Sequence, residues 1–394
     1  MCRFFGFKQT PFIGVRWAGV HTVLEQSTIP RTNSRNYRSI VDGARQYHSN
    51  LSQLKYLTAI PQGKLSYDLN HHIQSAVKRT TDDNNEKINL LLQFLLQQSN
   101  RLEQFRTEWM FITYRRTLIS VMCNAVNPQP LSIIATLFHG AIYLCSTETP
   151  QEVQKRQTRN KQEEKFCAWG YKFEQYLLSD KPSLQPDINR PVIENEEFSL
   201  YYTAALNEHK LLYGAQIDGM LADRHPVPDP PDPGTDEALL KYLQNESYVE
   251  LKTNRIIQHY KQERNFKKYK LLRCWCQCYL AGLKGLLVGF RNDNGIIQRL
   301  QWFDTEDIVA YCQVSKQYSQ IKALRFLDYF LKFVKRSFID LVDKINGKNI
   351  NLSTIDPISI HCEINDNNTI MVTQCDNKDM EILPDWYINT ARKK

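Results

Sequence analysis

Asp218 closes an apolar run that begins at Leu211, and Glu250 and Lys252, one residue apart, follow Tyr248 and Val249. Residues two apart on an extended strand share a face, so the Glu250 carboxylate and the Lys252 ammonium point the same way. The Pro- and Asp-rich segment 224–234 between the two runs reads as loop, which makes 211–220 and 248–253 neighbouring strands. Two carboxylates converging from adjacent strands can hold a hard divalent cation, and an ammonium beside them can steady an attacking water or charge developing on phosphorus. A third acid, Glu174, sits at a similar apolar-to-polar edge. The chemistry these residue types allow is metal-assisted hydrolysis of a phosphodiester. Strand-end acids paired with a lysine would give the same pattern; the apolar setting of both strands argues against that, because charge buried there is costly unless it binds something.

The elements that must position these side chains read as α+β: one domain over 1–394, with a mixed central β-sheet flanked by helices. Residues 1–80 are rich in turn formers and read as irregular wrapping with short strands; 166–303 form the core that carries the acids. Apolar residues at helical spacing predict helices over 84–109, 111–123, 266–283 and 315–345. Strands are expected over 131–146, 285–291, 296–303, 358–364 and 369–373, and 151–165 reads as an exposed helix or loop.

Composition narrows the class. Of 394 residues 42% are hydrophobic, enough for a sizeable core, and 50 basic against 42 acidic residues leave a net charge of +8, compatible with an anionic partner such as nucleic acid. Ten scattered cysteines and no secretory leader point to a reducing compartment, nuclear or cytosolic with the nucleus favoured, and to no disulfides. Cys274, Cys276 and Cys278 lack a second Cys or His pair and read as packing rather than zinc. The most apolar run, 131–145, is too short for a membrane span, so no membrane partner is expected.

Five ordered blocks give this pattern a family. Trp169-Gly-Tyr-Lys-Phe-Glu-Gln-Tyr176, Leu212-Tyr-Gly-Ala-Gln-Ile-Asp218, Tyr248-Val-Glu-Leu-Lys-Thr253, Lys270-Leu-Leu-Arg-Cys-Trp-Cys-Gln277 and Val288-Gly-Phe-Arg291 resemble the motifs of the DXO family of decapping nucleases and 5′-to-3′ exoribonucleases. Weaker matches at 43–48, 67–70 and 383–387 extend the resemblance over nearly the whole chain. It implies Mg²⁺ or Mn²⁺ in a pocket that admits an RNA 5′ end, and removal of incomplete caps, NAD caps or 5′ pyrophosphate, with exonuclease activity in many members. It implies Glu174, Gln216, Asp218, Glu250 and the Leu251 carbonyl as metal-site positions, with Lys252 and Gln277 touching the scissile phosphate. Arg45, Glu86, Tyr114, Arg115, Arg116 and Ser199 fall where the family contacts the bound nucleotide.

The chain departs from the family pattern at two places. Gln216 stands where the family has Glu before the central aspartate, and an amide brings no negative charge to a cation. Tyr114 and Arg116 flank Arg115 where the family has Trp and Gly, which narrows or recharges the pocket. The expected function is a metal-dependent hydrolase of RNA 5′ ends. The alternative is a weakened or inactive relative that binds RNA ends or a protein partner without cutting.

Overall fold

The computed structural model describes residues 16–25, 45–48, 51–78, 87–97, 109–194, 196–223, 225–231, 236–244, 246–313, 320–346, 352, 355–375 and 380–393. The first half runs β1 (Arg16–Glu25), β2 (Arg45–His48), β3 (Tyr56–Leu57), β4 (Tyr67–Asp68), α1 (Asn89–Gln97), β5 (Phe111–Tyr114), α2 (Arg115–Asn124), β6 (Leu131–Phe138) and β7 (Ala141–Thr147). Then come α3 (Pro150–Gln157), α4 (Lys161–Leu177), β8 (Leu178–Ser179), β9 (Glu197–Leu206), β10 (His209–Gln216), β11 (Gly219–Leu221), α5 (Asp236–Gln244) and β12 (Tyr248–Arg255). The chain continues through α6 (Tyr260–Asn265), a π-helical turn (Phe266–Leu271), α7 (Leu272–Ala281), β13 (Gly285–Arg291) and β14 (Ile296–Asp304). It ends with α8 (Thr305–Gln313), α9 (Gln320–Asn346), β15 (Ile358–Ile364), β16 (Ile370–Gln374) and α10 (Asp385–Arg392).

The α+β class holds, but two mixed sheets stand where one was expected. Nine strands follow the order β16-β15-β6-β7-β5-β10-β9-β1-β2 and seven follow β4-β14-β13-β12-β11-β3-β8. The predicted strand 211–220 is divided between them. Ile217 N–H still bonds Phe198 in the first sheet at 2.9 Å, whereas Met220 N–H bonds Lys55 in the second at 2.8 Å. Asp218 occupies the step from one sheet to the other. Only the second piece neighbours β12, with Gly219 opposite Val249 and Met220 opposite Tyr248.

Two further elements differ from expectation in ways that matter for the site. The helix predicted over 111–123 opens instead as β5, whose aromatic and β-branched Phe-Ile-Thr-Tyr run pairs in parallel with β10 and β7 before α2 begins at Arg115. The segment 151–165 is helical, with capping boxes at Thr149/Glu152 and Asn160/Glu163 starting α3 and α4. Glu174, read only as lying at an apolar-to-polar edge, therefore projects from α4. In the 1–80 region β1 is longer than the short strands expected, pairing with β9 and β2 at one end of the nine-stranded sheet. The predicted 84–109 helix is described as α1 alone, and 315–345 as α9.

Helix α4 is held by Trp169, Phe173 and Leu177, spaced four apart, which pack with Leu57, Val249, Leu251 and Leu287 of the seven-stranded sheet. Beneath Phe173 the strand has no room for a side chain: a Cβ on Gly289 would lie 2.4 Å from the Phe173 ring. Gly289→Ala is expected to lose about 1–3 kcal/mol, the usual scale of overpacking, as read from the urea midpoint. An unchanged midpoint would show that α4 shifts freely, and with it Glu174. Cys274, Cys276 and Cys278 are all buried, because α7 packs into the main core along with Leu272 and Trp275. Among the described residues no helix is long and apolar enough to cross a membrane.

Candidate active site

Glu250 and Lys252 share a face of β12 as their spacing requires, and Lys252 Nζ donates to Glu250 Oε1 at 2.5 Å. Asp218 reaches the same place from the inter-sheet step. Its Oδ2 accepts the Leu251 N–H at 2.7 Å and lies 3.7 Å from Lys252 Nζ. The Leu251 carbonyl accepts from Lys252 at 3.0 Å. From α7, Gln277 Nε2 donates to Glu250 Oε1 at 2.8 Å. From the start of α2, Arg115 donates to the Gln277 carbonyl at 2.9 Å and the Gln216 carbonyl at 2.8 Å, and approaches Glu250 Oε2 at 3.5 Å.

These contacts pull the acids in opposite directions. Burial pushes Glu250 up, but the charges of Lys252 and Arg115 and their hydrogen bonds outweigh it, and its carboxyl ends below the ordinary value. Asp218 is pushed up to about 6, first by burial and then by the Glu250 charge, with Lys252, the Leu251 N–H and Arg115 opposing. Half-buried Glu174 is raised further by burial and by the charges of Asp218 and Glu250, against Lys252. Burial lowers Lys252, yet Glu250 and Asp218 more than reverse this and keep it charged.

The Glu250 charge raises Asp218, and both raise Glu174, so the three carboxylates form a hard-oxygen donor set whose repulsion a divalent cation would relieve, and the Leu251 carbonyl adds a neutral oxygen. Among the described residues no three acids or imidazoles close to metal-holding distance; the ammonium of Lys252 stands between Asp218 and Glu250 in that role. The donor chemistry fits a hard divalent cation. Glu174 and Asp218 open onto a cleft of about 630 Å³, solvent-open mouth included, also lined by Lys55, Arg190, Glu197 and Gln216.

The remaining predicted positions separate into three groups. Ser199, opposite Gln216 on β9, is buried and donates to Glu197 Oε1 at 2.7 Å; Gln216 itself is exposed and lines the cleft. Tyr114 is turned to the other face of the nine-stranded sheet: its ring lies against Gly214, and its hydroxyl accepts the Leu91 N–H at 3.1 Å. It thus packs within the fold, an outcome that follows from Tyr114 ending strand β5 while Arg115 opens helix α2. Arg116 is exposed on α2. Arg115, predicted to fork a substrate phosphate, is buried with its donors turned onto protein oxygens. Arg45 opens β2, with its side chain outside the described residues, and Glu86 lies outside them entirely. Sequence reasoning missed Lys55 and Arg190 as cleft residues; neither lies in a block with a recognisable motif, and only the fold brings them to the acids.

The sequence model of the family described as RAI1 like PD-(D/E)XK nuclease matches residues 37–388. The chain is 28% identical over 344 residues to the decapping and exoribonuclease protein Rai1 of Drosophila melanogaster, covering 84% of this chain and 88% of that protein. It is 28% identical over 306 residues to the human decapping and exoribonuclease protein, covering 76% and 73%. Its fold matches the crystal structure of Scheffersomyces stipitis Rai1 in complex with (3′-NADP)+ and calcium ion at TM-score 0.72 and 18% identity, over 98% of this chain and 97% of that one. It matches Candida albicans Rai1 in complex with pU5-Mn²⁺ at TM-score 0.69 and 19% identity, over 98% and 96%.

Proposed function

Because the chain belongs to the RAI1 like PD-(D/E)XK nuclease family, we propose that it hydrolyses RNA 5′ ends with a divalent cation, removing non-canonical caps or 5′ pyrophosphate. The observation that carries this reading is the convergence of Asp218, Glu250 and Lys252 where β11 and β12 meet, with Glu174 facing them from α4. Relatives named as decapping nucleases and a relative's structure with pU5 and Mn²⁺ support the substrate and cofactor classes.

Glu174, Asp218, Glu250 and the Leu251 carbonyl are the groups proposed to hold the cation, Mg²⁺ or Mn²⁺. When bound, such a cation supplies an activated water and neutralises phosphate charge. The chain's own residues do the rest. Gln277 and Arg115 fix the two oxygens of Glu250, so that its carboxylate does not rotate. Lys252, kept protonated by two acids, is proposed to stabilise charge developing on the phosphate. Gln216 contributes an uncharged oxygen at the cleft, which is expected to weaken cation affinity without removing the site.

The test is incubation of the purified protein with 5′-triphosphate, unmethylated-cap and NAD-capped RNA in Mg²⁺, Mn²⁺ or chelator. Metal-dependent product from at least one substrate is expected; none from any would leave RNA-end binding without cutting as the function. Gln216→Glu should lower the half-saturating Mn²⁺ concentration, roughly tenfold. An unchanged value would show that position 216 does not reach the cation.

A further inference from the structure

The cleft carries four carboxylates, those of Glu174, Glu196, Glu197 and Asp218, and its lining cations among the described residues are Lys55 and Arg190. We propose that Lys55 and Arg190 form a second phosphate subsite, which takes the terminal phosphates of a polyphosphorylated RNA 5′ end while the acids address the bond being cut. This rests on the function proposed above and specifies which part of the substrate the cations hold.

Both cations are built into the frame that carries the acids. Lys55 immediately precedes β3, and its carbonyl accepts from Met220 at 2.8 Å, so its backbone lies beside the strand that begins one residue after Asp218. Arg190 sits on the connection between β8 and β9, and that connection is tied to α4. Lys172, 1% exposed, donates to Ile188 O at 2.6 Å and to Gln175 Oε1 at 2.8 Å; Gln175 Nε2 in turn donates to Arg190 O at 2.9 Å. Gln175 is the residue after Glu174. The helical turn that presents the third acid therefore also fixes the Arg190 backbone, from which the guanidinium, 35% exposed, extends to Asp180.

A single carboxylate now bridges both cations. Asp180 accepts from Lys55 Nζ at 2.5 Å through Oδ1, and Arg190 Nη1 approaches its Oδ2 at 3.4 Å. Asp180 is 49% exposed, and ion pairs that open to water are individually weak. A phosphate with two or more charges and a fork-matching geometry competes for such partners effectively. Asp180 thus acts as an exchangeable counter-ion that holds the two cations beside one carboxylate until phosphate arrives.

The experiment measures equilibrium binding of 5′-triphosphate, 5′-monophosphate and 5′-hydroxyl RNA of one sequence to the full chain in Ca²⁺, for wild type, Lys55→Met, Arg190→Met and Asp180→Asn. Lys55→Met and Arg190→Met are each expected to weaken triphosphate RNA by roughly tenfold while changing monophosphate and hydroxyl RNA less than about twofold. Asp180→Asn should tighten triphosphate RNA. A wild type with no preference for the triphosphate end, an equal loss on all three RNAs, or weakening by all three variants alike would overturn the subsite, the last outcome marking the triad as a structural strut. Because binding is read without turnover, a chain that cuts nothing refutes the hydrolase reading and leaves this result separately legible.

Discussion

Asp218→Asn is expected to cut turnover of 5′-triphosphate RNA by about 10³-fold, the scale lost when a preorganised charge is removed from a phosphoryl or acyl site, while the fold survives. The amide keeps an oxygen for the Leu251 N–H, which Asp218 now accepts at 2.7 Å, so the step between the sheets retains its lock. What disappears is the negative charge. Its ionisation is pushed up to about 6 from 3.8, so the stability tied to the protonated form is whole below about pH 4 and lost above about pH 6. At neutral pH the wild type carries that penalty and the asparagine variant does not. Wild-type turnover by Asp218→Asn would remove Asp218 from the chemistry; a collapsed thermal transition at neutral pH would make it structural. Glu250→Ala is the poorer test, because Lys252, Gln277 and Arg115 all address that carboxylate, and its removal confuses lost chemistry with the loss of the partner those three share.

The acids were legible for different reasons, and the reasons mark where sequence reading stops. Glu250 and Lys252 sit on one strand, and a period of two is enough to put their side chains together. Asp218 was identified by its motif, while its placement was not: 211–220 reads as one apolar strand, and nothing local marks the Ile217–Asp218 step at which the chain leaves one sheet for the other. That change is a tertiary event, fixed by Phe198 on one side and Lys55 on the other. Glu174 stood out by its apolar-to-polar edge and again in the family blocks, and the four-residue spacing of Trp169, Phe173 and Leu177 is visible in hindsight as helix. Tyr114 failed because a short β-prone run was absorbed into the following helix. Lys55, Asp180 and Arg190 had no periodicity or motif to report them: Lys55 meets Asp180 across 125 positions of chain, and Arg190 meets it from an irregular connection 10 residues on.

Arg115→Met should cost about 3–5 kcal/mol of stability, because it strips one partner from a buried charge network instead of trimming a substrate contact. The guanidinium side chain is 7% exposed and Glu250 is 2% exposed, so neither can turn to water. Methionine fills the volume yet withdraws donors from the Gln216 and Gln277 carbonyls and leaves Glu250 to Lys252 and Gln277. Burial already pushes Glu250 upward; without Arg115 less opposes it, and the carboxyl becomes harder to ionise. The variant should therefore unfold at lower urea with an unchanged slope and require more Mn²⁺ for whatever activity remains. A residue that only gripped phosphate would behave differently, raising KM at constant stability, and that outcome would return Arg115 to the substrate side. The double variant with Glu250→Gln decides between them: partners in one network lose less together than the sum of their separate losses, whereas additive losses would show that Arg115 acts without Glu250.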